Sequence, residues 1–91
     1  MKAKIHPAER VANEQQPVKT VGFLVIPNFI TIGFASSVET LRMANMAARQ
    51  PMFRTVVIGA TLDPVTASNG MRILPDYSIE DAPKLDILFV V

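Results

Sequence analysis

The sequence predicts an α/β fold, a doubly wound parallel sheet carrying a small antiparallel β-hairpin. Three observations point there. Two apolar, β-branched runs at residues 21–26 (VGFLVI) and 53–60 (FRTVVIGA) flank a stretch of helical periodicity. A strand, helix and strand completed within about 40 residues imply a right-handed crossover and a parallel pair. A third apolar run, residues 85–91 (LDILFVV), has no alternation, as in strands covered on both faces. Between these runs Asn69-Gly70 separates two short alternating segments, a strong local signal for a hairpin.

The elements follow in chain order. Residues 1–17 (MKAKIHPAERVANEQQP) mix charges of both signs with two prolines and no apolar run, so they are expected to form a flexible tail. They have neither the apolar stretch of a secretory signal nor the acid-free composition of a mitochondrial presequence, which makes the cytoplasm the default location. The run at 21–26 is the central strand, stopped by Pro27-Asn28. In the next segment Phe34, Val38, Leu41, Ala44 and Ala48 recur at steps of four, three, three and four, the apolar stripe of an amphipathic helix. Thr31 can cap an early start, and Ser36 with Glu39 makes a capping box for a later one; the early start is preferred. Gln50-Pro51 is expected to end the helix, because a residue before proline is pushed out of the helical region.

After the second strand, the hairpin at residues 65–74 is expected to turn at Asn69-Gly70 in a type I′ conformation, with positive φ at both residues. Residues 75–84 are acidic and turn-rich, with Ser78 and Asp81 at capping spacing and Pro83 limiting any helix to one turn. One long helix over three sheet strands would leave a face of the sheet bare, so residues 18–91 are expected to be the N-terminal portion of a longer domain, about its first half.

Composition limits function. Ninety-one residues allow one domain with a small core, and 49% apolar content is too high for a disordered chain. No apolar run approaches the roughly 20 residues that cross a bilayer, so no membrane is expected as a partner. Without cysteine there is no thiolate ligand, disulfide or cysteine nucleophile in these residues. A net charge of +1 with no basic cluster argues against a nucleic-acid surface here. His6, the only histidine, lies in the tail and reads as solvated, so no metal site and no cofactor are expected. The serines lack a nucleophile-elbow setting, and the four glycines never form a phosphate-binding loop. Asp76, Glu80, Asp81 and Asp86 read as a solvated connection, not an acid and base set. Met43 and Met46 read as core packing in preference to a soft ligand or dimer face, and Glu39 with Arg42 as a surface pair. No catalytic residue is assigned.

One place retains a functional claim. In open, doubly wound sheets, ligands collect beyond the carboxyl ends of strands where strand order reverses, here beside the loop after the first strand. Asn28, Phe29 and Thr31 are the candidate ligand-binding residues. Asn28 can hydrogen-bond a ligand, and Phe29 can cover its apolar side or face a cation. The alternative is that Asn28 only turns the chain and Phe29 only plugs the core.

The strings VGFLVIPNF, FASSVETLRMAN, PVTASNGMRILPD and LDILFVV resemble the start of the ThiJ/PfpI-like domain of GlxA-type regulators in the AraC family. The similarity spans about residues 20–91, and its most specific parts are Val38-Glu39, Leu41-Arg42, Ala44-Asn45 and Ser68-Asn69-Gly70. It implies a flavodoxin-like sandwich of the class I glutamine-amidotransferase-like type, sensing a small amino-acid-like or quaternary-amine metabolite. It also implies a homodimer that contacts DNA only through a downstream helix-turn-helix region. Enzymes of the wider superfamily use a cysteine beyond a later strand and an acidic residue early in the first helix. The position matching that acidic residue is Gly33, which cannot polarise a thiol, so a non-catalytic binder is implied. The rival readings are the first half of a ThiJ/PfpI-type cysteine enzyme, such as a hydratase, deglycase or protease, and a truncated product without independent activity.

Overall fold

The computed structural model describes residues 17–91. The expected tail, with His6, lies outside the described residues except for Pro17. The elements are β1 (Lys19–Leu24), α1 (Thr31–Ala48), β2 (Phe53–Gly59), β3 (Val65–Thr66), β4 (Arg72–Ile73), β5 (Tyr77–Ser78) and β6 (Ile87–Val90). Four of the strands form one sheet in the order β5-β2-β1-β6, every neighbouring pair parallel. β3 and β4 form a separate antiparallel pair. The α/β class, the parallel β1–β2 pair and the small hairpin are as the sequence predicts.

β1 is the hub because its residues alternate between two apolar environments. Val21, Phe23 and Val25 face α1 and are almost wholly buried. Phe23 meets the edge of Phe34 at a centroid distance of 5.9 Å and stacks on Phe89 at 5.4 Å. The inward stripe of α1 is the expected one, with Phe34 buried and Val38 and Leu41 packed on the core. Met43 and Met46 correct the core reading. They are 60% and 63% exposed, because their positions fall on the helix face turned away from the stripe through Leu41, Ala44 and Ala48.

The helix ends also differ from expectation. α1 starts early, but Thr31 is its first helical residue and not its cap; Ile30 holds the cap position and supplies no side-chain bond. The helix stops at Ala48, before Gln50-Pro51. Arg49 turns left-handed at φ 57°, and the amides of Arg49 and Gln50 donate to the carbonyls of Met46 and Asn45, closing a Schellman-type end. Asn45 then fastens the helix to β2. Its Oδ1 accepts from the amides of Met52 and Phe53, and its Nδ2 donates to the Phe53 carbonyl.

The opposite face of the sheet is partly covered, which corrects the expectation of a bare face. Residues 75–86 form no helix, but they lay Ile79, Ala82 and Leu85 beside Leu24, Ile58 and Leu88 around a small cavity of about 220 Å³. Val56 and Ile58 are each only 3% exposed beneath this cover. Gly22 admits it: a Cβ there would lie 2.7 Å from Leu85 Cδ1. The same connection contains β5, a two-residue strand that the sequence did not announce.

Asp76 and Asp86 explain how β5 and β6 join the sheet. The amide of Asp76 donates to the Val57 carbonyl while its Oδ2 accepts from the Val57 amide. Asp86 repeats the pattern on Thr20, its amide donating to the carbonyl and its Oδ2 accepting from the amide at 2.8 Å. Each carboxylate extends the ladder by one step just before its strand begins. The acidic residues therefore do not converge, and among the described residues no group of three or more His, Cys, Asp or Glu could hold a metal ion.

Candidate functional site

The loop between β1 and α1 is built by a tight turn. Pro27 fixes φ for the first central position and Asn28 adopts φ 70° at the second, as in a type II turn, closed by the Phe29 amide donating to the Ile26 carbonyl. This turn throws the chain from the carboxyl end of β1 into the helix. It exposes Asn28, buries Phe29 and half-buries Thr31. The Phe29 ring packs against Phe34 at 5.7 Å with an interplanar angle of 71°, so it is part of the core as well as of the site.

The hairpin is fastened to this loop at three points. The Asn28 amide donates to the Thr66 carbonyl, the Ser68 amide donates to the Phe29 carbonyl, and the Thr31 hydroxyl donates to Asn69 Oδ1 at 3.2 Å. The turn that presents Asn69 is not type I′, since only Gly70 has positive φ. The Gly70 amide bonds to the Ala67 carbonyl and the Ala67 amide to the Met71 carbonyl, which defines a three-residue loop with Gly70 at the left-handed position. Asn69 keeps negative φ and spends its side-chain oxygen on the Met71 amide and the Thr31 hydroxyl.

A cavity of about 630 Å³ opens at the carboxyl ends of β1 and β6, against the first turn of α1. Asn28, Phe29, Gly33, Phe34, Ser37 and Val90 contribute to its wall, and none of its lining residues is charged. The Ser37 hydroxyl is turned back to the Gly33 carbonyl at 2.9 Å. No hydrogen bond from the Asn28 carboxamide to a described residue is observed, which leaves it available to a ligand. Thr31 is not on this wall. It borders a second cavity of about 260 Å³ between α1 and β4, with Phe29, Phe34 and Arg72. The structure thus gathers Asn28 and Phe29 at one cavity and places Thr31 at the next, Phe29 and Phe34 being the shared wall.

Gly33 and Ser37 are wall residues that the candidate set omitted. Their signal is the helical spacing of four, which puts both on the helix face that meets the cavity. On the far side of α1, Glu39 and Arg42 form the expected surface pair, at 2.6 Å. The hydrogen bond to Arg42 holds the Glu39 carboxyl below the ordinary carboxylate range and raises Arg42.

The arrangement is that of an α/β domain with an uncharged cavity at its strand ends, and solved structures share the fold. An AraC family transcriptional regulator from Pseudomonas putida matches 79% of this chain and 39% of its own, with a TM-score of 0.70 at 23% identity. A ThiJ/PfpI family protein from Pseudomonas syringae matches 82% of this chain and 29% of its own, with a TM-score of 0.63 at 21% identity. These likenesses establish the fold.

Sequence relatives carry the comparison further. The chain is 35% identical over 83 residues to the HTH-type transcriptional regulator GbdR of Pseudomonas aeruginosa, and 45% identical over 69 residues to CdhR of the same species. It is 31% identical over 62 residues to GlxA of Rhizobium meliloti. The chain is thus similar in sequence to the HTH-type transcriptional regulators GbdR, CdhR and GlxA, and its fold is the one seen in the AraC family regulator and the ThiJ/PfpI family protein. It spans 19% to 23% of the length of these curated relatives, all of which are named as transcriptional regulators and not as enzymes. No family model matches it. Among the described residues no helix is long and apolar enough to cross a membrane.

Proposed function

We propose that residues 18–91 are the N-terminal portion of a non-catalytic sensing domain in a cytoplasmic transcriptional regulator. Its effector is a small amino-acid-like or quaternary-amine metabolite, held beside Asn28 and Phe29, with Thr31 keeping the loop on the hairpin. The observation that carries this reading is the uncharged cavity at the ends of β1 and β6. A primary ammonium group needs three hydrogen-bond acceptors, whereas a quaternary ammonium needs none and is satisfied by methyl contact with aromatic and aliphatic walls. Phe29, Phe34 and Val91 offer such walls, and Asn28 offers one amide for the polar end of the molecule. Gly33 supplies no carboxyl to activate a thiol, in keeping with a binder.

Transmission follows from the three bonds between loop and hairpin. A ligand that binds one arrangement of this unit more tightly shifts the population toward it, and in a homodimer that shift reorients helix-turn-helix units elsewhere in the protein on DNA. Calorimetric titration of the full chain with N,N,N-trimethylglycine and with glycine tests the reading. Saturable binding of the trimethylated compound, weak or absent binding of glycine, and a drop of about ten-fold in affinity for Asn28→Ala are expected. Equal binding of both compounds, or none of either, defeats it.

A further inference from the structure

The four glycines of this chain differ in one respect that bears on the cavity. A Cβ on Gly22 would lie 2.7 Å from Leu85, and one on Gly59 would lie 2.7 Å from both Pro75 and the Thr61 carbonyl. Gly70 needs its φ of 90° for the hairpin loop. Each of these three has a reason within the fold. Gly33 has neither: its φ is not left-handed, and a Cβ there would meet nothing within 4 Å. It also stands inside α1, where glycine is the poorest helix former apart from proline. A fold selected for stability alone would place alanine there at no steric cost.

What an added side chain at Gly33 would occupy is the cavity it lines. We infer that Gly33 is the specificity-determining position of this cavity, its missing side chain setting the size of the head group that the first turn of α1 admits. The inference rests on the proposed reading of the cavity as the effector site. Phe29, Phe34 and Ser37 line the same cavity as Gly33, and Phe29 and Phe34 are locked edge to face, so they do not yield to make new room. The Ser37 hydroxyl is committed to the Gly33 carbonyl and adds no competing polar demand. Bulk introduced at residue 33 is therefore subtracted directly from the ligand.

The test compares the full chain with its Gly33→Ala and Gly33→Leu variants by thermal melting without ligand and by titration with glycine, N,N-dimethylglycine and N,N,N-trimethylglycine. Both variants are expected to melt at least as high as the parent, with Gly33→Ala several degrees higher. Affinity for the trimethylated compound is expected to fall about ten-fold in Gly33→Ala and further in Gly33→Leu, while the dimethylated compound loses less. A lower melting temperature for Gly33→Ala shows that the fold does require glycine and overturns the inference. So does an unchanged size ranking in a parent that binds. If the parent binds none of the three compounds, the reading of the cavity fails, and the inference with it.

Discussion

The two faces of β1 are made from one hexapeptide, and they are buried by different means. On one face an 18-residue helix lies along the sheet, and Val21 and Phe23 are completely inaccessible. On the other face an irregular connection crosses the strands and seals Val56 and Ile58, while the edge strand β6 stays exposed on both faces, at Ile87 and Phe89 as well as at Leu88 and Val90. Burial therefore follows the reach of the two covers: it is nearly complete on both faces of the central strands and fails along β6, which neither cover fully reaches, although β6 is as apolar as they are. A helix presents a continuous stripe, whereas the connection covers only the stretch that Ile79, Ala82 and Leu85 reach.

The sharpest way to break this contrast is to remove a buried side chain from beneath each cover. Phe23→Ala is expected to cost about 3–5 kcal/mol, because Phe34 and Phe89 lose their common partner and the helix cannot sink into the gap. Ile58→Ala, equally buried, is expected near the lower end of about 2–5 kcal/mol, because an irregular cover beside an existing cavity collapses more readily. Urea denaturation of both variants measures the difference; a loss in Ile58→Ala as large as in Phe23→Ala, although a smaller side chain is removed, would show that the irregular cover is no less rigid than the helix. Asp86→Ala is expected to cost about 1–2 kcal/mol by leaving the Thr20 amide without its side-chain acceptor, and Asp86→Asn to recover most of it. A loss in Asp86→Ala that Asp86→Asn does not recover would mean that charge, not acceptance, matters at that edge.

The smallest effect belongs to the outer surface of α1. Glu39 has a lowered folded pKa, so whatever its pair with Arg42 contributes is present above the ordinary carboxylate range and disappears as the pH falls through that lowered value. Both side chains are more than half exposed, so solvent screening leaves little to lose. Glu39→Gln is expected to leave the melting temperature at neutral pH unchanged within error. A clear drop would give the solvent side of the helix a role in stability that its exposure does not suggest.

Periodicity and punctuation made most of this fold legible. The stripe from Phe34 to Ala48 is visible because tertiary burial follows the helical repeat, and β1, β2 and β6 are visible because their apolar runs are short, rich in β-branched and aromatic residues and bounded by turn residues. β5 was not visible, because Tyr77-Ser78 has no run at all and is extended only where Asp76 anchors it to Val57. The hairpin was visible but its turn was not: Asn69 is held by bonds to Met71 and to Thr31, the latter 38 residues away and beyond any local rule. Sequence pointed to the loop after β1 for a general reason of α/β topology, and a cavity opens beside that loop. It did not separate Thr31 from the cavity of Asn28, since that division depends on where β4 docks.

The bond between Thr20 and Asp86 also has a kinetic meaning. It joins residues 66 positions apart, whereas β1 and β2 meet across about half that separation and the hairpin closes within a few residues. Each doubling of a closed loop costs only about 0.6 kcal/mol, but the search must finish before any contact rewards it. The hairpin and the β1-α1-β2 unit are thus expected to assemble first and β6 to dock last, which would make Asp86 variants accelerate unfolding more than they slow folding.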